Sequence, residues 1–333
     1  MRLISEHEGK QGVKIDEKDR KILYELSRNS RQPIQVIARH VHLSRDGTAY
    51  RIQRLEQSGV LQGYKTLVDV AKFGYNSYHL FMRLHEPLRQ EVIQKLIAHH
   101  HIRAILKFSG VYDWELAVIA KSFDEFMKVR REILTFLNGK VQDMSAIMIT
   151  APIVARTFPL RFFPHQKDER VRSDTEYSLD RKDTKILEII ANKANSSLLE
   201  IAAKTGGSAD TVAYRLKRLR ASGIIQKHMI GVNYDLLNQS MYAVLFSTKE
   251  QSAKDAAYIR EVLSIDPDVL WAVQVFGSWN YLVYLCVQNT HQYQEALDRL
   301  RDQFGAQLLS FVTLLASEEF KYTYFPEGMR MSP

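Results

Sequence analysis

"SRDGTAYRIQRLEQSG" spans residues 44–59, and "SADTVAYRLKRLRASG" spans residues 208–223. The two stretches keep serine first, Ala-Tyr-Arg in the middle, Arg-Leu one turn later and Ser-Gly at the end. The likeness extends upstream. Asp16-Glu17-Lys18-Asp19 with Lys21-Ile22-Leu23 returns as Asp180-Arg181-Lys182-Asp183 with Lys185-Ile186-Leu187, and Ile37-Ala38 returns as Ile201-Ala202. From 16–59 to 180–223, 17 of 44 positions are identical without a gap. An identity of that extent at one fixed offset is an internal duplication, because shared composition alone does not preserve register.

Each half reads as three helices. Asp16 and Asp180 are N-cap residues, followed by Ile22, Leu23 and Leu26, or Ile186, Leu187 and Ile190, on one face. Ser197-Leu-Leu-Glu200 is a capping-box pattern for the second helix of the later half, and Pro33 fits the first turn of its counterpart. The third helix starts at Ser44 or Ser208. Thr48, Ile52 and Leu55, or Val212, Leu216 and Leu219, make one apolar stripe at helical spacing, and Gly59 or Gly223 ends it. Short β-prone runs follow at 60–70 and 224–232, predicting a two-stranded wing in each half.

A helix that buries one stripe exposes the other side. In the first half that side carries Asp46, Gly47, Tyr50, Gln53 and Arg54, with Arg51 on the flank. In the second it carries Asp210, Thr211, Tyr214, Lys217 and Arg218, with Arg215 on the flank. This is the arrangement of a recognition helix that enters the major groove N-terminus first. The candidate DNA-contacting residues are Ser44, Arg45, Gly47, Thr48, Tyr50, Arg51 and Arg54, and Ser208, Ala209, Thr211, Tyr214, Arg215, Lys217 and Arg218. Other readings stand open. Arg51 and Arg215 can pair with Asp19 and Asp183, Tyr50 and Tyr214 can pack at the rim, and Asp46 and Asp210 suit the helix N-terminus.

Charge follows the repeat. The chain of 333 residues carries +8, and the windows 14–65 and 178–230 carry +5 each, so everything else sums to −2. Positive charge concentrated on repeated helices is the footprint of a double-stranded DNA partner. A single cysteine, Cys286, excludes internal disulfides and multi-cysteine metal sites. No apolar run approaches the ~20 residues of a membrane span, and the first residues lack a signal-peptide core. A cytoplasmic protein without membrane contact is expected. His99–His101 are adjacent and have no matching ligand cluster, so neither a metal nor a cofactor is expected. No phosphate loop or nucleophile elbow appears.

The remaining segments also match. Strands are predicted at 77–84, 103–110, 114–120 and 144–151, with helices near 87–100 and 123–137. Their counterparts are strands at 240–247, 269–277, 281–287 and 309–316, with helices near 251–264 and 290–304. The order β-α-β-β-α-β is a ferredoxin-like unit. The fold class is α+β: two winged helix-turn-helix domains (15–70 and 179–234), each followed by a ferredoxin-like domain (75–165 and 239–326), with a polar linker at 166–178.

These features together resemble the leucine-responsive/asparagine-type (Lrp/AsnC) transcription regulators. The resemblance rests on Ile15-Asp16-x-x-Asp19-x-x-Ile22-Leu23, Ile37-Ala38, Ser44 through Gly59, Val60-Leu61-Gln62-Gly63-Tyr64, and the matching residues of the second half. Ordinary members are similar to one half of this chain and pair through the sheets of their α/β units. The resemblance therefore implies an intramolecular pair about a pseudo-twofold axis, with further self-association through the ferredoxin-like domains. It also implies a small-molecule effector, often an amino acid, near the loop after the glycine that ends the second strand. The corresponding residues are Gly110, Tyr112 and Asp113, and Gly277, Trp279 and Asn280, where Asp113 suits an ammonium group and Asn280 lacks that charge. Both loops can equally be plain tight turns. The rival implication is an enzyme like the sirohaem decarboxylases that share this scaffold, with His79 on a sheet-lined cavity. Two basic recognition helices, and no arginine-rich cluster on the second or third strands, favour the regulator.

Overall fold

The computed structural model describes residues 12–164, 171, 173 and 175–329. Most of the expected linker thus lies outside the described residues. Each half opens with three helices: α1 (Glu17–Arg28), α2 (Ile34–Val41) and α3 (Arg45–Gln57), then α6 (Arg181–Asn192), α7 (Leu198–Thr205) and α8 (Ala209–Ala221). Asp16 and Asp180 cap α1 and α6 through complete capping boxes with Asp19 and Asp183. Ser197 and Glu200 do the same for α7, while Pro33 stands at the N-cap of α2, one residue before the helix.

The expected two-stranded wings are instead one strand per half. β1 (Leu61–Val68) pairs antiparallel with β6 (Ile225–Val232), so that Tyr64 faces Ile230, Lys65 faces Met229 and Thr66 faces His228. A 3₁₀ turn at Val70–Phe73 follows β1. The edge that a lone strand exposes is covered by its own duplicate.

The ferredoxin-like order holds in both halves. In the first it runs β2 (Asn76–Leu84), α4 (Gln90–Ala98), β3 (Ile102–Gly110), β4 (Trp114–Ala120), α5 (Phe123–Leu137) and β5 (Val141–Ala155). In the second it runs β7 (Ser240–Thr248), α9 (Ala253–Ile265), β8 (Val269–Gly277), β9 (Tyr281–Val287), α10 (Thr290–Phe304) and β10 (Leu308–Tyr322). The eight strands close into one barrel in the order β10-β3-β4-β2-β5-β8-β9-β7. β5 and β10 are longer than expected because each serves two sheets. β5 pairs with β2 over 141–148 and with β8 over 147–155, and β10 pairs with β7 and then β3.

Alternation along β2 shows where the cores sit. Leu80 packs outward with Ile93 and Leu96 of α4 and Phe126, Val129 and Ile133 of α5. Phe81 packs inward with Ala104, Leu106, Ala243, Leu245 and Leu282, in a core drawn from both halves. Burial of this size dominates stability, at about 25 cal/mol per Å² of apolar surface removed from water. No helix among the described residues is long and apolar enough to cross a membrane.

Candidate nucleic-acid interface

Ser44 accepts a hydrogen bond from the Gly47 N–H at 3.0 Å, and Ser208 accepts one from the Thr211 N–H at 3.1 Å. Each serine thereby satisfies one orphan donor and starts the recognition helix. Ile52 and Leu55, and Val212, Leu216 and Leu219, are buried beneath. Thr48 belongs with them. It is fully buried and its hydroxyl donates to the Ser44 carbonyl at 2.9 Å, so it supports the helix and is not presented to a groove. The opposite faces are open. Tyr50 is 66% and Tyr214 61% exposed, and both lie clear of the rim packing considered as their alternative. Ser44, Arg45, Asp46, Gln53 and Arg54 are exposed, as are Ser208, Asp210, Thr211, Lys217 and Arg218, while Gly47 and Ala209 are partly covered.

Arg51 and Arg215 take the internal pairing. Arg51 donates to Asp16 at 2.7 Å and to Asp19 at 2.9 Å; Arg215 donates to Asp180 at 2.7 Å and to Asp183 at 2.8 Å. The Asp19 N–H, and then Arg51, hold the Asp16 carboxylate below its usual range. These arginines lock the third helix to the first, with one face of each guanidinium left at the surface.

The next arginine separates the halves. Arg54 reaches the buried Asp19. Its counterpart Arg218 makes no such bond, because Tyr177 donates its hydroxyl to Asp183 at 3.1 Å and the Arg218 guanidinium stacks over the rings of Tyr177 and Tyr214. The first half has Val13 where the second has Tyr177. The second recognition helix therefore combines Lys217 with an arginine that has no carboxylate partner among the described residues, whereas the first has Gln53 and an arginine engaged by Asp19.

The two heads are tied together reciprocally. Ser30 N–H donates to the His228 carbonyl at 3.1 Å, and Ala194 N–H donates to the Tyr64 carbonyl at 3.0 Å. Asp69 N–H to Ile224, and Asn233 N–H to Val60, form a second such pair at 3.0 Å each. Every donor and acceptor recurs 164 positions later, which is the signature of a pseudo-twofold axis through the β1–β6 ribbon. Arg31 adds an unreciprocated link, donating to the carbonyls of Ala194 and Ser196. Beside it, burial first and the Arg31 and Arg220 charges next push the His228 imidazole down to about 3. Its Nδ1 lies 3.0 Å from the Thr66 hydroxyl.

The candidate effector turns are also equivalent. Phe108 N–H donates to Asp113 O, and Val275 N–H to Asn280 O, both at 2.8 Å. Asp113 Oδ2 accepts from the Leu84 N–H at 2.7 Å, and Asn280 Oδ1 from the Thr248 N–H at 2.8 Å. Aspartate and asparagine thus do the same work in fastening each turn to the neighbouring strand. Tyr112 is buried, 5.9 Å from the Phe81 ring, and Trp279 is partly buried. Gly110 and Gly277 have φ of 153° and 140°, and a Cβ on either would fall 2.9 Å from Thr313 O or 2.5 Å from Ala146 O. Both glycines permit the seams between the two sheets.

The three adjacent histidines diverge, His99 toward Glu132, His100 toward Glu327 and His101 toward the Ile119 carbonyl. Among the described residues no group of histidine, cysteine or acidic side chains is arranged to hold a metal. Of the cavity beneath the ribbon, the sequence pointed to His79 alone, through the rival resemblance; Lys65, Arg103 and Glu115 also line it. Its residues come from both ribbon strands and both sheets, so no local spacing marks it.

An AsnC-type helix-turn-helix family model matches residues 15–56, and a winged helix-turn-helix DNA-binding model matches 179–226. The chain is 31% identical over 142 residues to an HTH-type transcriptional regulator of Pyrococcus horikoshii, covering 41% of this chain and 95% of that protein. It is 30% identical over 146 residues to the proline dehydrogenase transcriptional activator of Rhodobacter capsulatus, covering 42% and 90%. The crystal structure of the sirohaem decarboxylase NirDL aligns with a TM-score of 0.63 at 15% identity, covering 94% of this chain and 96% of that one, which shows a shared tandem fold. By its sequence relatives and its paired helix-turn-helix units, the chain belongs to the Lrp/AsnC family of transcriptional regulators.

Proposed function

We propose that the protein is a sequence-specific regulator of transcription that binds double-stranded DNA as an intramolecular dimer. The observation that carries the reading is the pair of basic recognition helices, exposed on their polar sides and related by reciprocal hydrogen bonds across the ribbon. Tyr50, Gln53 and Arg54 in one half, and Thr211, Tyr214, Lys217 and Arg218 in the other, meet bases and phosphates. Ser44, Arg45, Gly47, Ser208 and Ala209 bring the helix N-termini to phosphates. Arg51 and Arg215 position these helices and lend their outer edges to the backbone.

The working units are the two reading heads, 15–70 and 179–234, and the two ferredoxin-like units, 75–165 and 239–326. An amino-acid effector at Gly110–Asp113 would need an acceptor other than the Asp113 oxygen already bound to Leu84, and Gly277–Asn280 offers only the amide. Self-association is assigned to the ferredoxin-like units, where Phe276 is 73% and Leu309 60% exposed.

The enzyme reading is disfavoured by size. The central cavity has about 140 Å³, the size of a cavity that holds one benzene ring, which is far below a tetrapyrrole. Selection from random duplex DNA tests the proposal. Enrichment of a two-half-site sequence is expected, and its absence, together with salt-insensitive binding, would overturn it.

A further inference from the structure

The cavity beneath the ribbon is built asymmetrically. In a structure related by a pseudo-twofold axis, each lining position has an equivalent in the other half. His79 on β2 corresponds to Ala243, Arg103 on β3 to Leu270, and Glu115 on β4 to Leu282. Lys65 on β1 corresponds to Met229, its partner across the ribbon, and Tyr284 on β9 corresponds to Ala117. At each of these positions one half is polar and the other apolar. The fold itself therefore accepts an apolar residue there, and the duplicate is an internal control that proves it. Burying Lys65, His79, Glu115 and Tyr284 costs folding free energy that the apolar counterparts do not.

The polar set is ordered and incomplete. Glu115 accepts from His79 Nδ1 on one oxygen and from the Tyr284 hydroxyl on the other. That fixes the imidazole and aims Nε2 elsewhere. His79 is 6% exposed, and its Nε2 has no hydrogen-bond partner among the described residues. The Arg103 Nε is likewise buried without one. Four cationic side chains, Lys65, Arg103, Arg156 and Lys227, line the cavity against two carboxylates, Glu115 and Glu319. The rest of the wall is apolar, including Leu106, Leu270 and Trp271.

We propose that this cavity is a single ligand site, one per chain, for a small organic acid. Its carboxyl group lies against Arg103 and His79, with a proton between one oxygen and Nε2. An apolar body of about six non-hydrogen atoms, as the volume allows, runs along Leu106, Leu270 and Trp271. The site is placed to act on the reading heads. Lys65 donates to Asn192 of α6 at 2.8 Å, and the adjacent Thr66 donates to the Ile190 carbonyl at 2.8 Å. A carboxylate that draws on the Lys65 ammonium competes with Asn192 and shifts one head only. This last consequence rests on the DNA-binding reading; occupancy of the cavity does not.

Calorimetry on the full chain with benzoate, isovalerate and 2-oxoisovalerate tests occupancy, with benzyl alcohol as the neutral control. At least one acid is expected to bind at millimolar concentration or tighter with one site per chain, and benzyl alcohol at least about tenfold more weakly. Arg103→Leu, which installs the residue of the other half, should weaken the acid at least about tenfold while the unliganded protein melts at the same or a higher temperature. Three results would overturn the proposal: no acid binds, acid and alcohol bind equally, or Arg103→Leu binds the acid unchanged. DNA titrations on the same samples separate the two readings, since failure to bind DNA leaves the calorimetric result standing.

Discussion

The Arg218 guanidinium lies 4.8 Å from the centre of the Tyr177 ring, and Tyr177 in turn occupies Asp183 with its hydroxyl. Where the first half has valine, the corresponding arginine binds the buried aspartate instead. One aromatic residue outside the recognition helix thus decides whether an arginine on it is available to a phosphate. Arg218→Ala is expected to weaken DNA binding more than Arg54→Ala and to reduce the salt slope by about one. Titrations at several salt concentrations check this, and equal slopes for the two variants would refute it.

Asp19 is fully buried, caps α1 with Asp16, and receives Arg51 and Arg54. Asp19→Ala removes the Asp19 half of the capping box, frees Arg54 and leaves Arg51 held by Asp16 alone. A loss of about 2 kcal/mol in urea unfolding is expected. Asp183→Ala should cost a similar amount, leaving Arg215 held by Asp180 alone.

Gly277→Ala is expected to destabilise by about 2–3 kcal/mol, because the new Cβ meets the Ala146 carbonyl at a backbone φ unfavourable to alanine. Gly110→Ala should cost less, since its nearest backbone atom is farther away. Denaturant midpoints of the two variants give the order directly.

His228 is buried at the junction of the heads and held down to about 3, mainly by desolvation. Between the ordinary histidine value and that lowered one, the unfolded chain binds a proton that the folded chain does not. Stability is therefore fully present above about pH 6.5 and falls as pH drops below it, with a limiting slope of about 1.4 kcal/mol per unit from this group. His228→Gln should flatten the stability profile between pH 6 and about 4, as read from unfolding at fixed temperature.

Much of this was legible in the sequence because local rules govern it. Asp16, Ser44 and Ser208 cap where their side chains predict, and the stripe of Ile52 and Leu55 faces the core. What could not be read depends on contacts between halves. A run such as Tyr64-Lys65-Thr66 reads as a wing strand, but nothing within it says that its partner is 164 residues away. The ends of β5 and β10 fail similarly, since their last residues are strands only because the other sheet receives them. The charge of Asp113 is visible in the sequence, whereas its bond to the Leu84 N–H is set by a strand outside the loop. His79 pointed to a sheet-lined cavity only through a resemblance, and neither Arg103 beside it nor the apolar residues opposite were marked by any spacing in the chain.

The ribbon and the closed barrel make each half structurally unfinished without the other. A regulator assembled from separate subunits can be diluted apart or exchange partners with paralogues in the same cell. Here covalent linkage holds the partner at an effective concentration that no dilution alters. It also guarantees that each assembled pair contains one of each kind, so the halves are free to diverge without producing mixed populations.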